Sequence, residues 1–535
     1  MGKELLDFCV EKGILIDKKI LTLLEDLNNN EIAKNFIERL IYQYKQKVIT
    51  SSFFENNIYK VYELILNYKG ANRKLIESFF INLGINCDFN KLEKSIKEEA
   101  VLEFGQDCGV KLLKIYNNKP KKIKVNDFVL NFKYRYNTLK KILQDRPELE
   151  NLISINRIGE YSSCSVIVII SDKRVTKNGN ILLEVEDLTG KTVALINKNR
   201  QEIFDKTKEL LLDEIVALKC SGSQEMLFVN DIIFPDVKIL DKKKSNFEEM
   251  AAFISDIHIG SKNFLEKNFN KFIEWINGTV GDKKQREQAL KIKYLFIIGD
   301  TIDGVGVFPG QEKELVIKDV GSQYKLLADY LFKIRDDVQI ILCPGQHDAV
   351  RIAEPQPAIS EVYGAPLYML KNLKLVTNPS LIEIGKDIKF KVLMYHGASM
   401  HGIIGEIEKL RLGKGHDSPT EVVKYILKKR HLAPTHSLVT YTPIEGEDAL
   451  LIKETPDIVA TGDLHRTEVS DYNGVLLIAS SCWQARTPFE EKVGNNPDPC
   501  KVPVLNLKTR EVKIMDFSDV PGSKLINGVV VKDAD

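Results

Sequence analysis

Ligand-type side chains follow five apolar segments in the second half of this 535-residue chain. The segments are AAFIS, YLFIIG, QIILCPG, KVLMY and PDIVATG. The residues that come directly after them are Asp256, His258, Asp300, Gln346, His347, His396, Asp463 and His465. All 8 histidines of the chain lie between residues 258 and 465. A lone histidine after a strand is most often structural, whereas five segments that each deliver such residues favour one functional site.

Carboxylate, amide and imidazole ligands without thiolate suit Mn²⁺, Fe, Zn²⁺ or Mg²⁺ rather than a sulfur-bound ion. A pair of such ions can activate a water molecule and clamp a phosphoester. A carboxylate such as Asp300 is suited to bridge two ions because it offers two oxygens. A histidine outside the ligand set is needed nearby to protonate the leaving oxygen.

The apolar segments predict strands that are buried on both faces and joined by helices, such as residues 268–276 and 318–334. The carboxyl ends of the strands in an open α/β sheet share one edge, where ligands bind. This arrangement would bring all the ligand-type residues together. The predicted fold is therefore an α/β sandwich for this half of the chain.

The order of the motifs resembles that of the calcineurin-like metallophosphoesterases. The motifs are D-x-H at 256–258, G-D-x-x-D at 299–303, G-x-H-D at 345–348, an isolated His396 and G-x-x-H at 462–465. The resemblance implies two divalent metal ions, one held by Asp256, His258, Asp300 and His465. It implies that Asp300, Gln346, His396 and Asp463 hold the other. It also implies that His347, paired with Asp303, faces the leaving group as the catalytic acid.

Two positions depart from the pattern of that superfamily. Gln346 stands where an asparagine is usual, and Asp463 stands where a histidine is usual. Both side chains can ligate a metal, so an altered second site is expected rather than an inactive one.

The overall composition is that of a soluble protein with two to four domains. Net charge is only +1, so any nucleic-acid contact must come from local patches. The 8 cysteines include no Cys-x-x-Cys pair, which disfavours a structural zinc site and a disulfide framework. No signal peptide and no apolar run of about 20 residues is present, so we expect a cytoplasmic protein without a membrane segment.

A multidomain α+β chain is predicted. Residues 1–83 form a small helical N-terminal domain, 84–150 a basic linker and helix, 151–245 an OB-fold β-barrel, 246–520 the phosphoesterase domain and 521–535 a tail. The basic, aromatic residues 111–141 suit single-stranded nucleic acid, or a solvated linker that leads into a helix over residues 134–143. Lys173, Arg174 and Lys177 at the first barrel hairpin are candidate nucleic-acid ligands, unless the barrel packs against a partner.

Longer stretches resemble the small-subunit family of the archaeal family-D DNA polymerases. They are residues 345–368, 428–434, 481–490 and 502–509, and residues 176–191 and 234–237 of the barrel. The resemblance implies a Mn²⁺-preferring, proofreading 3′→5′ exonuclease that acts on single-stranded or primer-template DNA. It implies a separate large catalytic subunit as partner, and the sliding clamp as a contact reached through the complex. The alternatives are a metal-depleted scaffold subunit and a stand-alone phosphatase or nucleotide phosphodiesterase.

Overall fold

A computed structural model describes residues 2–27, 29–44, 48–50, 54, 75–76, 78–80, 82–83, 109–116, 122–160, 162–493, 495–518 and 527–531. The chain divides into two compact units, residues 1–107 and residues 108–535. None of the helices within these ranges combines the length and the apolar character needed to cross a bilayer.

The first unit contains helices and one short strand pair in its described part. The elements are α1 (Gly2–Glu11), β1 (Leu15–Ile16), α2 (Lys18–Glu25), α3 (Asn30–Tyr44) and β2 (Val48–Ile49), and the two strands pair in parallel. The Asp17 carboxylate caps α2 by accepting from the Lys19 backbone N–H. Leu5 of α1, Ile20 and Leu24 of α2 and Phe36 of α3 are buried in one core, and the i, i+4 spacing of Ile20 and Leu24 places both on one helix face. The predicted residues 84–107 of the linker lie outside the described ranges.

The second unit begins with a strand and a long helix. β3 (Val110–Lys114) pairs antiparallel with a strand of the later sandwich, and α4 (Val125–Gln144) follows. The segment predicted as a linker therefore contributes an edge strand, and its helix is longer than the predicted 134–143. Arg135 of this helix is buried, and its guanidinium donates to Asp448 Oδ2 and to the Pro434 carbonyl. This part of the basic segment holds the fold together and does not present its charge to solvent.

A closed barrel comes next. Its strands are β4 (Ser162–Val175), β5 (Ile181–Glu186), β6 (Lys191–Ile196), β7 (Ile215–Gly222) and β8 (Met226–Ile233), and α5 (Gln201–Lys208) connects β6 to β7. The strand order is β4-β5-β6-β8-β7, with β6 parallel to β8 and the other pairs antiparallel. Alternate residues such as Val166, Leu183 and Leu218 fill the interior.

Two mixed sheets form the rest of the second unit. The strands are β9 (Met250–Ile254), β10 (Ile292–Ile298), β11 (Gln339–Cys343), β12 (Leu373–Leu375), β13 (Ser380–Ile384), β14 (Phe390–Tyr395), β15 (Ile458–Thr461), β16 (Glu468–Tyr472), β17 (Val475–Ala479), β18 (Lys501–Asn506), β19 (Val512–Asp516) and β20 (Asn527–Val531). Among the described residues the orders are β12-β11-β10-β9-β18-β19-β20 and β16-β17-β15-β14-β13-β3. β20 extends the first sheet, so part of the predicted tail 521–535 belongs to the sandwich. Its β-branched Val-Val-Val run suits an added edge strand.

Helices cover the outer faces of the sheets. They are α6 (Glu266–Ile276), α7 (Lys283–Leu290), α8 (Val320–Leu331), α9 (Glu361–Gly364), α10 (Met400–Glu406), α11 (Glu408–Leu412), α12 (Pro419–Lys429) and α13 (Pro488–Val493). Strands β9, β15 and β17 are buried throughout because each one serves two cores. In β10, Phe296 and Ile298 face the second sheet, whereas Leu295 and Ile297 face the helices. The predicted helices 268–276 and 318–334 correspond to α6 and α8.

Candidate metal centre

Two D-x-H turns bring ligands from different sheets to the same edge. Asp256 and His258 follow β9, and Asp463 and His465 follow β15. All four residues have positive φ angles between 50° and 67°. Each turn buries the apolar residue between its two ligands, Ile257 or Leu464. Left-handed backbone costs of order 1–3 kcal/mol for a residue with a side chain, and it clusters at functional sites.

The loops after β10 and β11 pack backbone directly against ligand side chains. Asp300 also has positive φ, and its Oδ1 accepts the His347 backbone N–H at 2.8 Å. A Cβ at Gly345 would collide with the Asp300 carboxylate, and a Cβ at Gly299 would collide with the ring of His396. The glycines in the G-D-x-x-D and G-x-H-D motifs are therefore required by close packing around the ligands.

The back of each candidate ligand imidazole is fixed by an acceptor. His258 Nδ1 donates to Asp303 Oδ1 at 3.1 Å, and His465 Nδ1 donates to Glu490 Oε1 at 2.8 Å. His396 Nδ1 donates to the Ile298 carbonyl at 2.7 Å. Carboxylates and carbonyls can only accept, so the hydrogen of each neutral ring is on Nδ1. The lone pair of each ring is then on Nε2, the atom that faces the centre.

These Nε2 atoms surround one oxygen of Asp256. Asp256 Oδ1 lies 3.3 Å from Nε2 of His465, 3.9 Å from that of His396 and 4.0 Å from that of His258. Asp300 Oδ2 lies 3.3 Å from His396 Nε2. Three groups with metal-ligand spacing result among the described residues. His258, Asp303 and His347 form one, and the other two are Asp256 with His258 and His465, and Asp256 with Asp300 and His396. Asp256 is common to these last two, so the geometry offers two carboxylates for a bridging position where the sequence predicted Asp300 alone.

Buried polar atoms without a hydrogen-bond partner converge on this edge of the described structure. They are Asp256 Oδ1, His258 Nε2, Gln346 Oε1, His396 Nε2 and Asp463 Oδ2. Buried polar atoms are almost always paired, so a cluster of unpaired ones needs an occupant. Burial opposes protonation of His396, but the Asp300 and Asp256 carboxylates outweigh it and raise the pKa of this imidazole. A site that attracts positive charge and presents unpaired oxygen and nitrogen atoms fits divalent metal ions.

Comparison with known proteins relates this chain to DNA polymerase subunits. A family model for the B subunit of DNA polymerase alpha/epsilon matches residues 251–470. The chain is 38% identical over 395 residues to the DNA polymerase II small subunit of Methanothermobacter thermautotrophicus, covering 74% of this chain and 80% of that protein. It is 37% identical over 449 residues to that of Pyrococcus furiosus, covering 82% and 71%. The chain belongs to the archaeal DNA polymerase II small-subunit family. The family predicted from the sequence is thus confirmed.

A solved structure of vacuolar protein sorting 29 from Cryptosporidium parvum is also similar to this small-subunit family member. The match covers 54% of this chain and 98% of that chain, at 15% identity and a TM-score of 0.27.

Asp303 and His347 contact each other in this family member through the Asp303 backbone. The Asp303 carboxylate holds His258, and His347 Nδ1 donates instead to the Asp303 backbone carbonyl at 2.8 Å. His347 and Asp303 therefore pair through the Asp303 backbone, and the catalytic role of the pair stays a prediction. His347 stays beside the site, with its ring 4.8 Å from that of His258 in an edge-to-face contact.

The two departures of this small subunit from the usual motif contact each other. Gln346 Nε2 donates to Asp463 Oδ1 at 3.1 Å. Asp463 Oδ2 lies 3.3 Å from Nε2 of His401, a half-exposed residue of α10, and His401 Nδ1 lies 2.9 Å from His416 Nε2. The carboxylate at position 463 therefore accepts a hydrogen bond from an amide on one oxygen and has an imidazole nearby on the side of the other.

The predicted nucleic-acid ligands on the barrel do not form one exposed cluster. Lys173 Nζ donates to the carbonyls of Thr207 at 2.7 Å and Leu210 at 3.1 Å, and burial lowers its pKa. The prediction for Lys173 is corrected on this ground, because its ammonium serves the fold. Arg174 and Lys177 are exposed, and Arg174 lies 3.4 Å from Glu184.

Sequence reasoning missed the residues that hold the ligands in place. Glu490 was part of a resembling stretch but had no assigned chemistry. Asp348 accepts the backbone N–H groups of Gly345 at 2.9 Å and Thr301 at 3.2 Å, which ties the loops after β10 and β11 together. The only sequence signal for Asp348 was its place in G-x-H-D, and His401 had none.

Proposed function

We propose that this chain is the metal-dependent 3′→5′ exonuclease subunit of a heterodimeric DNA polymerase. The observation that carries the proposal is the convergence of five unpaired buried ligand atoms beside His347, in a DNA polymerase small-subunit family member. A large catalytic subunit would carry out polymerisation, and this subunit would remove mispaired nucleotides. Any contact with the sliding clamp would be made through that complex.

The residues present would hold two divalent ions. Asp256, His258, Asp300 and His465 supply one half of the site, and Asp300, Gln346, His396 and Asp463 the other. Mn²⁺ is the proposed ion, with Mg²⁺, Fe and Zn²⁺ as alternatives of compatible ligand chemistry. When bound, the ions would lower the pKa of a coordinated water and neutralise charge on the phosphoryl oxygens.

His347 is placed to act as the general acid. Its Nδ1–H is committed to the Asp303 carbonyl and its backbone N–H to Asp300, so the ring is fixed in orientation. In the protonated ring, Nε2 is the atom left to donate a proton to the leaving 3′ oxygen. Asp303 acts on the other side, as the carboxylate that orients His258.

The barrel is proposed to be an OB fold that contacts single-stranded DNA. Its strand order, with a helix between β6 and β7 and a parallel β6–β8 pair, supports this assignment. Arg174 and Lys177 remain the candidate phosphate contacts, and each contact would add about 0.7 to the salt slope of single-strand binding.

The proposed function is tested by an exonuclease assay on a primer with a mismatched 3′ end. The full chain, alone and with its large subunit, should release nucleoside 5′-monophosphate with Mn²⁺ and none after chelation. His347→Ala should slow release by about 10²–10⁴-fold while retaining metal, and His436→Ala, outside the site, should not. Absence of bound metal together with no hydrolysis of any DNA would support the metal-depleted scaffold alternative. Faster hydrolysis of a phosphomonoester than of DNA would support a stand-alone phosphatase.

A further inference from the structure

An apolar rim borders the polar centre on the side of His347. Val305, Val307 and Phe308 lie in the loop between Asp303 and a short 3-10 helix, Gln311–Lys313. Their exposed fractions are 43%, 37% and 40%. Three large apolar side chains exposed within four residues, at the mouth of a site, mark a binding surface rather than a packing one.

The loop that carries the rim is fixed in shape. The fully buried Gln311 side chain donates to the Asp303 carbonyl at 2.7 Å and to Asp303 Oδ2 at 3.0 Å. Its Oε1 accepts the Val307 backbone N–H at 2.9 Å. At the start of the loop, Gln323 accepts from Gly304 N–H at 2.9 Å and donates to the Gly304 carbonyl at 3.1 Å. These hydrogen bonds fix the position of the rim relative to Asp303. Asp303 in turn orients His347 and His258.

Phe308 stands next to the proposed general acid. The centroid of its ring lies 6.5 Å from that of His347, with an angle of 65° between the planes. The two rings are inclined to each other in an edge-to-face arrangement, and part of the Phe308 ring is open to solvent. A nucleobase could stack on such a surface beside His347.

The reaction fixes which nucleotide would lie there. In 3′→5′ hydrolysis, a water oxygen bonds to the phosphorus of the last nucleotide, and the bond from that phosphorus to the 3′ oxygen of the penultimate nucleotide breaks. The proton from His347 goes to this 3′ oxygen, and the attacking water loses a proton to solvent. The nucleotide nearest His347 is therefore the penultimate one.

We propose that Phe308, flanked by Val305 and Val307, is the stacking platform for the penultimate base of the DNA strand. This inference rests on the proposed function and names how its substrate is positioned. A base that stacks on Phe308 must leave the duplex stack, which costs least at a mismatched or single-stranded end. The platform would thus favour unpaired 3′ ends, as proofreading requires.

Oligonucleotide affinity, measured in chelator so that no hydrolysis occurs, tests the platform. Phe308→Ala should weaken binding of a single-stranded oligonucleotide by about 5- to 150-fold, and Phe308→Trp should retain affinity. An abasic site at the penultimate position should remove the difference between wild type and Phe308→Ala. An abasic site at the terminal position should leave that difference intact. Phe332→Ala, which removes another exposed phenylalanine at the end of α8 (51% exposed, against 40% for Phe308), is the matched control.

Unchanged affinity of Phe308→Ala would overturn the platform, as would a loss that is the same for both abasic positions. If Phe308→Ala unfolds at the same temperature as wild type, its loss of oligonucleotide affinity does not come from a loss of folding. Because binding is measured without turnover, its result is separate from that of the exonuclease assay. Failure of wild type to release mononucleotides would instead overturn the proposed function.

Discussion

The two halves of the candidate metal centre differ in what lies behind their ligands. In the half formed by Asp256, His258 and His465, each imidazole donates to a buried carboxylate, Asp303 or Glu490. A carboxylate behind a ligand imidazole raises its basicity and fixes its orientation. We therefore expect this half to bind a metal ion tightly, with ligands that keep their orientation.

In the other half, no buried carboxylate among the described residues lies behind the imidazole of His396. His396 donates to a peptide carbonyl, and Gln346 and Asp463 hydrogen-bond to each other. The half-exposed His401 approaches Asp463 from outside. Affinity should therefore reside mainly in the first half, and metal selectivity in the second, where the side chains depart from the usual motif.

Asp300→Asn should have the largest effect, because Asp300 is proposed to ligate the ions of both halves. The substitution should therefore weaken both halves and remove the difference in metal affinity between them. Bound Mn²⁺ should fall in both, and turnover should fall by more than about 10³-fold, since several kcal/mol of transition-state stabilisation depend on the ions. Asp256→Asn is the comparison that decides which carboxylate bridges, and Asp329→Asn on α8 is the control. Elemental analysis that finds two full equivalents in Asp300→Asn would exclude it as the bridge.

Glu490→Gln should weaken the first half selectively. The amide oxygen can still accept from His465, but the negative charge behind the imidazole is lost. We expect Mn²⁺ affinity of that half to fall by about 10- to 100-fold, with the second half unchanged. Isothermal titration resolves the two steps. Glu491→Gln, which changes an exposed neighbour, is the control and should bind Mn²⁺ like wild type. If the first binding step of Glu490→Gln is unaltered, the carboxylates behind the imidazoles do not distinguish the two halves.

Asp463→His should have the smallest effect on affinity and should act on selectivity. An imidazole in place of a carboxylate removes negative charge, so the second half should shift from Mn²⁺ toward Zn²⁺ or Co²⁺. The comparison variant His401→Ala keeps the carboxylate and should preserve the preference for Mn²⁺. If competition titrations give the same metal order for Asp463→His and wild type, Asp463 does not ligate a metal.

The sequence predicted the ligand-type residues and their shared edge because buried parallel strands have a strong apolar pattern. It could not predict which side chain each ligand contacts from behind. Asp303 and His258 are 45 positions apart, and His465 and Glu490 are 25 apart, so no local spacing signals either pair. Nor could it predict that His347 donates to the Asp303 backbone carbonyl while the Asp303 carboxylate accepts from His258. The basic character of Lys173 and Arg135 suggested solvent or DNA, but their cations are used by distant carbonyls and by Asp448.

The central claim is that one edge of the sandwich holds two divalent ions of unequal affinity. Equilibrium titration of the metal-free full chain with Mn²⁺, followed by electron paramagnetic resonance, tests it most directly. The account predicts two equivalents that bind in separate steps, with magnetic coupling between the ions at saturation. In Glu490→Gln the Mn²⁺ affinity of the tighter step should fall toward that of the weaker step. A single equivalent, or two identical and uncoupled sites unaffected by Asp300→Asn, would contradict the account.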